Sequence, residues 1–153
     1  MKLKRKYIDL EDTLKALKIQ IIDSLDFAVE YLPNTNLTPK QIFNFLKKDF
    51  VYISDPDGIE LLQSFPTMYS YFNYHGVYGG GDCDCATIAA AACLTVCGYP
   101  VDIALVGRSD ANAVHIYCVT GTYSPIIPFD LTNDKYGQER KYPFKQVLSL
   151  LIK

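Results

Sequence analysis

The chain has 153 residues, 49% of them apolar and 21% charged, with a formal net charge of −2. That balance is ordinary for a soluble globular protein, and neither the charge nor any basic stripe gives a reason to expect nucleic acid. One domain, 1–153, is expected, long enough to bury roughly two-thirds of its unfolded surface.

No apolar run approaches the ~20 residues of a membrane span. The opening "MKLKRKYIDLEDTLK" is basic at first, but charges interrupt any apolar core that an export signal would need. Five cysteines are an odd number. Without an export signal they favour reduced thiols in a cytosol-like compartment over a disulfide framework.

Asp9 to Leu32 reads as one long amphipathic helix, because Leu14, Leu17, Ile21, Leu25 and Ala28 recur at three- and four-residue steps. Pro33 and the asparagines after it stop that helix. Thr38 is then a good N-cap, with Pro39 at the first helical position and Gln41 placed for a capping box. The helix it opens turns Ile42, Phe43, Leu46 and Phe50 toward a core, and 1–58 forms an N-terminal helical part. "SDPDGI" is a turn, with Pro56 presetting φ and Gly58 free to adopt φ > 0. Asp55 and Asp57 lack the ligand spacing and closing Glu of a calcium loop. Residues 59–81 sustain neither the helical nor the strand period, although "FPTMYSYFNYHGVY" is rich in aromatics that could line a cleft or pack over the core.

A helix is expected from about Asp84 to Cys97, ended by Gly98 as an αL cap and by Pro100. Three β-rich runs follow, "VDIALVGR", "AVHIYCVTG" and "SPIIPFDLT". A last amphipathic helix is expected over Phe144 to Ile152, just after Pro143. Helices first and then a helix leading into an antiparallel sheet define an α+β fold.

The chemistry concentrates in "YGGGDCDCATIAAAACLTVCGYP". Cys83 lies at a helix N-terminus, where unpaired N–H groups and the macrodipole favour thiolate over thiol. The same N–H groups face whatever stands before the sulfur, as stabilisation of an oxyanion requires. Gly79, Gly80 and Gly81 allow a tight turn and keep side chains away, and the acidic flanks argue for an open thiol. A nucleophile of this kind needs a base, and the base needs an orienting group. His115, one of only two histidines, lies in an apolar strand with Val114 and Ile116 on the opposite face. Asp130 ends another apolar strand. If the two strands are antiparallel neighbours, Asp130 can accept a hydrogen bond from the His115 ring.

"GGGDCDCATIAAAACLTVCGYPV", "AVHIYCV" and "PFDLT", in that order, resemble the core of the transglutaminase-like superfamily of papain-fold cysteine enzymes. In that family a glycine-rich turn precedes Cys-Asp at a helix start, and a strand His and a strand-end Asp complete a triad. The resemblance covers residues 78–132. It implies a papain-like, transglutaminase-like α+β fold whose central Cys-bearing helix packs on a small antiparallel sheet, with helices added N-terminally.

It also implies Cys83 as nucleophile, His115 as base and Asp130 as orienting carboxylate. The expected activity is a cysteine hydrolase cleaving a peptide or isopeptide bond through a thioester. Transfer to an amine, or an idle triad in a binding or structural protein such as a phage virion component, are the alternatives. The segment "FLKKDFVYISDPDGIELLQSFPTM" is similar to the leader region of small stand-alone members, some of them in phages and prophages. The partners implied are a protein or peptide substrate or virion proteins, in a cytoplasmic or virion setting, with no nucleic acid, membrane or cofactor.

The oxyanion-hole side chain is not fixed by motif. Gln63 and Asn73 are the nearest upstream amides, and Asp84 is the acid beside the nucleophile, which also suits the positive end of the helix. Cys85 stands where many relatives carry an acidic or aromatic residue, and reads as a small buried side chain rather than a redox partner. His75 reads as a surface-loop histidine. Zinc fits poorly: Cys93 and Cys97 sit on a helix of alanine and leucine, facing the same way as Ala86, Ala89 and Ala90, rather than in paired loop knuckles.

Overall fold

The computed structural model describes residues 10–52, 64–67, 80–107, 113–120 and 127–150. The expected turn at Pro56 and Gly58 lies outside them, as do Gln63, Asn73, His75 and Gly79.

The long N-terminal helix is two helices, α1 (Leu10–Ile22) and α2 (Leu25–Tyr31). The break falls at Ser24, which is fully buried and whose hydroxyl does two things. It donates to the Gln20 carbonyl at 2.6 Å and accepts the Phe65 N–H at 2.9 Å. A hydroxyl that bonds back to the preceding turn while serving a distant N–H competes with regular helix, and periodicity cannot see it. Leu17, Ile21 and Ala28 still face the core as their spacing requires.

In α3 (Pro39–Asp49) the capping box is present in full, with Thr38 Oγ1 accepting from Gln41 N–H and Gln41 Oε1 accepting from Thr38 N–H. Ile42, Phe43 and Leu46 are buried.

Strand β1 (Val51–Tyr52) pairs in parallel with β2 (Gly80–Gly81), so the glycines before Cys83 are tied to the end of α3. Helix α4 (Cys83–Val96) follows directly and is buried from Cys83 to Leu94. A helix apolar on every side must be wrapped, and α1, α2 and α3 pack on one side of it and the sheet on the other. Gly98, at φ +87°, closes it, with Tyr99 N–H reaching back to the Leu94 carbonyl as in a Schellman cap.

The four-stranded sheet is antiparallel in the order β5–β4–β3–β6, formed by β3 (Val101–Gly107), β4 (Ala113–Thr120), β5 (Ile127–Phe129) and β6 (Phe144–Ser149). Ile103, Leu105, Ile116, Cys118 and Phe129 face α4. Ala104, Val106, Tyr117 and Val119 form a second apolar cluster on the opposite face.

Strand β6 replaces the helix expected over Phe144 to Ile152. Its burial alternates residue by residue, with Phe144, Gln146 and Leu148 half-buried and Lys145, Val147 and Ser149 exposed. A short run can satisfy both periods, and pairing along β3 from Asp102–Ser149 to Gly107–Phe144 decides the matter. The architecture is α+β, with a small antiparallel sheet and several helices. No helix among the described residues is long and apolar enough to cross a membrane.

Candidate active site

Asp82, not Cys83, caps α4. Its Oδ1 accepts the Asp84 N–H at 3.1 Å and the Cys85 N–H at 3.4 Å, which frees the next position for a side chain chosen for other reasons. This arrangement corrects two expectations. The N–H groups at the helix start are expected to face an oxyanion; two of them, those of Asp84 and Cys85, are taken by the cap. And the acidic flanks do not open the site: Asp82, Asp84 and Cys83 are all buried, Cys83 at 5% exposure. Capping turns the Asp82 carboxylate inward, and the whole first turn is buried. Cys85 is fully buried, as a small apolar side chain would be.

His115 and Asp130 meet because β4 and β5 are antiparallel neighbours. Cys118 pairs with Phe129, so the next residue after Phe129 falls on the face that carries His115 and Tyr117. His115 Nε2 lies 2.7 Å from Asp130 Oδ2. Cys83 is a further side chain hydrogen-bonded to the His115 ring. Cys83, His115 and Asp130 therefore form one connected chain of side chains.

Burial by itself would push the His115 proton off. The hydrogen bonds to Asp130 and Cys83, with the charge of Asp130, outweigh it and raise the imidazole to about 9. Asp130 moves the opposite way. Burial opposes its charge, but the bonds from His115 and Thr132 hold its carboxyl below the usual carboxylate value.

Sequence reasoning missed the residues that fix this pair. Thr132 donates to Asp130 Oδ1 from its backbone N–H at 3.0 Å and from its hydroxyl at 2.8 Å, and that hydroxyl also lies 3.4 Å from His115 Nε2. Asn133 Nδ2 reaches Asp130 Oδ2 at 3.4 Å and the Gln138 carbonyl at 2.9 Å. The Asp-x-Thr spacing in "FDLT" carried the signal, since a short side chain commonly bonds the backbone two residues on.

On the helix side, the Thr87 hydroxyl donates to the Cys83 carbonyl at 2.7 Å and lies 3.3 Å from the Ile116 carbonyl, joining the nucleophile's turn to the strand that holds His115. Lys47 Nζ on α3 donates to the Leu131 carbonyl at 2.7 Å, and Phe43 packs edge-on against Phe129 at 5.3 Å. The turn after Asp130 is thereby held from below.

Among the described residues no group of three or more His, Cys, Asp or Glu side chains is arranged to hold a metal ion. The five cysteines form no disulfide with one another. Comparison with protein-family models, with curated proteins and with solved structures found no match.

Proposed function

We propose that this chain is a cysteine hydrolase of papain-like, transglutaminase-like fold that acts on an amide bond of a peptide or protein. The observation that carries the reading is the continuous Cys83–His115–Asp130 connection, with the cysteine at the first residue of a buried helix. At neutral pH His115 retains its proton, because its partners raise it to about 9. In this mechanism Cys83 attacks the amide carbonyl as the thiolate partner of that imidazolium, the C–N bond breaks, and the imidazolium passes its proton to the departing amine. A thioester remains. Neutral His115 then takes a proton from water, whose oxygen attacks the thioester; the acid leaves, and the sulfur is restored as thiolate beside the reprotonated ring. Asp130 stays ionised and holds the ring. An amine in place of water gives transfer rather than hydrolysis. A reducing, cytoplasmic setting suits a mechanism that needs an unoxidised thiol.

One observation favours a second reading. Cys83 is 5% exposed, as suits an idle triad kept in a binding or structural protein such as a virion component. The deciding experiment incubates the protein with a mixture of denatured proteins and a fluorescent alkylamine, beside a Cys83→Ser control. New N-termini that vanish in the control establish hydrolysis, and amine incorporation that vanishes in the control establishes transfer. Neither signal in either protein contradicts both, and the idle reading then takes over.

A further inference from the structure

His115 has a ring neighbour that the triad does not use. Tyr117, two residues on along β4, lies on the same face of the strand, with its ring centroid 5.5 Å from that of His115 and the planes 32° apart. Tyr142 approaches from the segment between Asp130 and β6, at 6.4 Å and 31°. Same-face neighbours on a strand are commonly about 7 Å apart and need not align their rings. Here the alignment is held. Tyr117 is buried, and its hydroxyl donates to Glu139 Oε2, which also receives Lys145 Nζ at 2.5 Å. Packing around the buried ring restrains it beside the imidazole, and the hydroxyl bond anchors its far end.

We propose that Tyr117 is a positioning residue, its ring face holding the His115 side chain in register with Cys83 and Asp130 and favouring the protonated ring, with Tyr142 as a second ring beside it. A cation within about 6 Å of an aromatic centroid is attracted to the negative face of the ring, more strongly once water is excluded. Among the described residues, the titratable groups around the ring are Cys83 from α4, Asp130 from the end of β5, Tyr117 from β4 and Tyr142 from the following segment. Glu139 and Lys145 lie one step out, behind the Tyr117 hydroxyl. This role rests on the reading of His115 as the partner of Cys83, but its test requires no turnover.

The experiment follows the His115 ring by NMR titration in the whole chain, where only two histidines give signals. Tyr117→Leu is expected to lower the pH at which His115 loses its proton by about one unit, a tenfold weaker hold. Tyr117→Phe keeps the ring and is expected to titrate with the parent. Tetrafluorophenylalanine at 117 keeps the shape and strips the negative face; it is expected to fall toward the leucine variant, and it serves in its place if Tyr117→Leu does not fold. Titration of the fluorinated protein with the parent overturns the proposal. So does a phenylalanine variant that falls as far as leucine, since the hydroxyl and Glu139 would then be responsible. A protein without hydrolytic activity that still shows the expected order keeps this role and loses only the proposed reaction.

Discussion

His115 and Asp130 exchange more than orientation, since each changes how tightly the other holds its charge. His115 is raised in the folded state from 6.5 to about 9, so its contribution to stability is complete below about 6.5 and is lost as pH rises through 9. Removing the group should therefore flatten the melting temperature over that window. We predict a falling melting temperature from pH 6.5 to 9 in the parent, a difference on the order of 3 kcal/mol across the window, and a much shallower slope in His115→Gln. Thermal unfolding at several pH values reads this directly; equal slopes in the two proteins would sink it.

Asp130 runs the other way. Its lowered carboxyl stabilises the fold above 3.8, and this is lost as pH falls through its folded value. Because the Thr132 hydroxyl helps to lower it, Thr132→Val should move acid unfolding to higher pH and cost about 1 kcal/mol, while Thr132→Ser stays near the parent. An acid midpoint unmoved by valine removes Thr132 from the site.

At the scale of elements, what could be read in the sequence divides by the kind of signal. The capping box of Thr38 and Gln41, the glycine end of α4 and the strands around His115 and Asp130 were legible, because each is written in local residue types. Two things were not. The break between α1 and α2 depends on Phe65, 41 residues from Ser24. Strand β6 depends on a free edge of β3 that no local pattern announces. Ser24→Ala tests the first. It leaves the buried Phe65 N–H without its acceptor, and should cost about 1–3 kcal/mol in denaturant unfolding. A change under a few tenths would mean that the break has another cause.

Over the whole molecule, the wrapping of α4 explains why the order of three motifs was readable and the openness of the site was not. Cysteine at a helix start, histidine in a strand and aspartate at a strand end are local facts. Their meeting depends on β4 lying beside β5 and on α4 packing across β4. Burial of Cys83 is a property of every element around it, and acidic neighbours could not report it, because Asp82 turns inward to cap the helix.

The most direct test of a nucleophile in that setting sets activation against exposure. The measurement is the rate of iodoacetamide labelling of each cysteine, resolved by mass spectrometry from pH 6 to 8, with His115→Ala as control. Cys97 is the more exposed thiol, while Cys85, Cys93 and Cys118 are fully buried. If Cys83 is activated by His115, it is labelled before Cys97 and loses that lead in the His115→Ala protein. If Cys97 is labelled first and Cys83 reacts only on unfolding, the sulfur is not a working nucleophile and the proposed hydrolase is wrong.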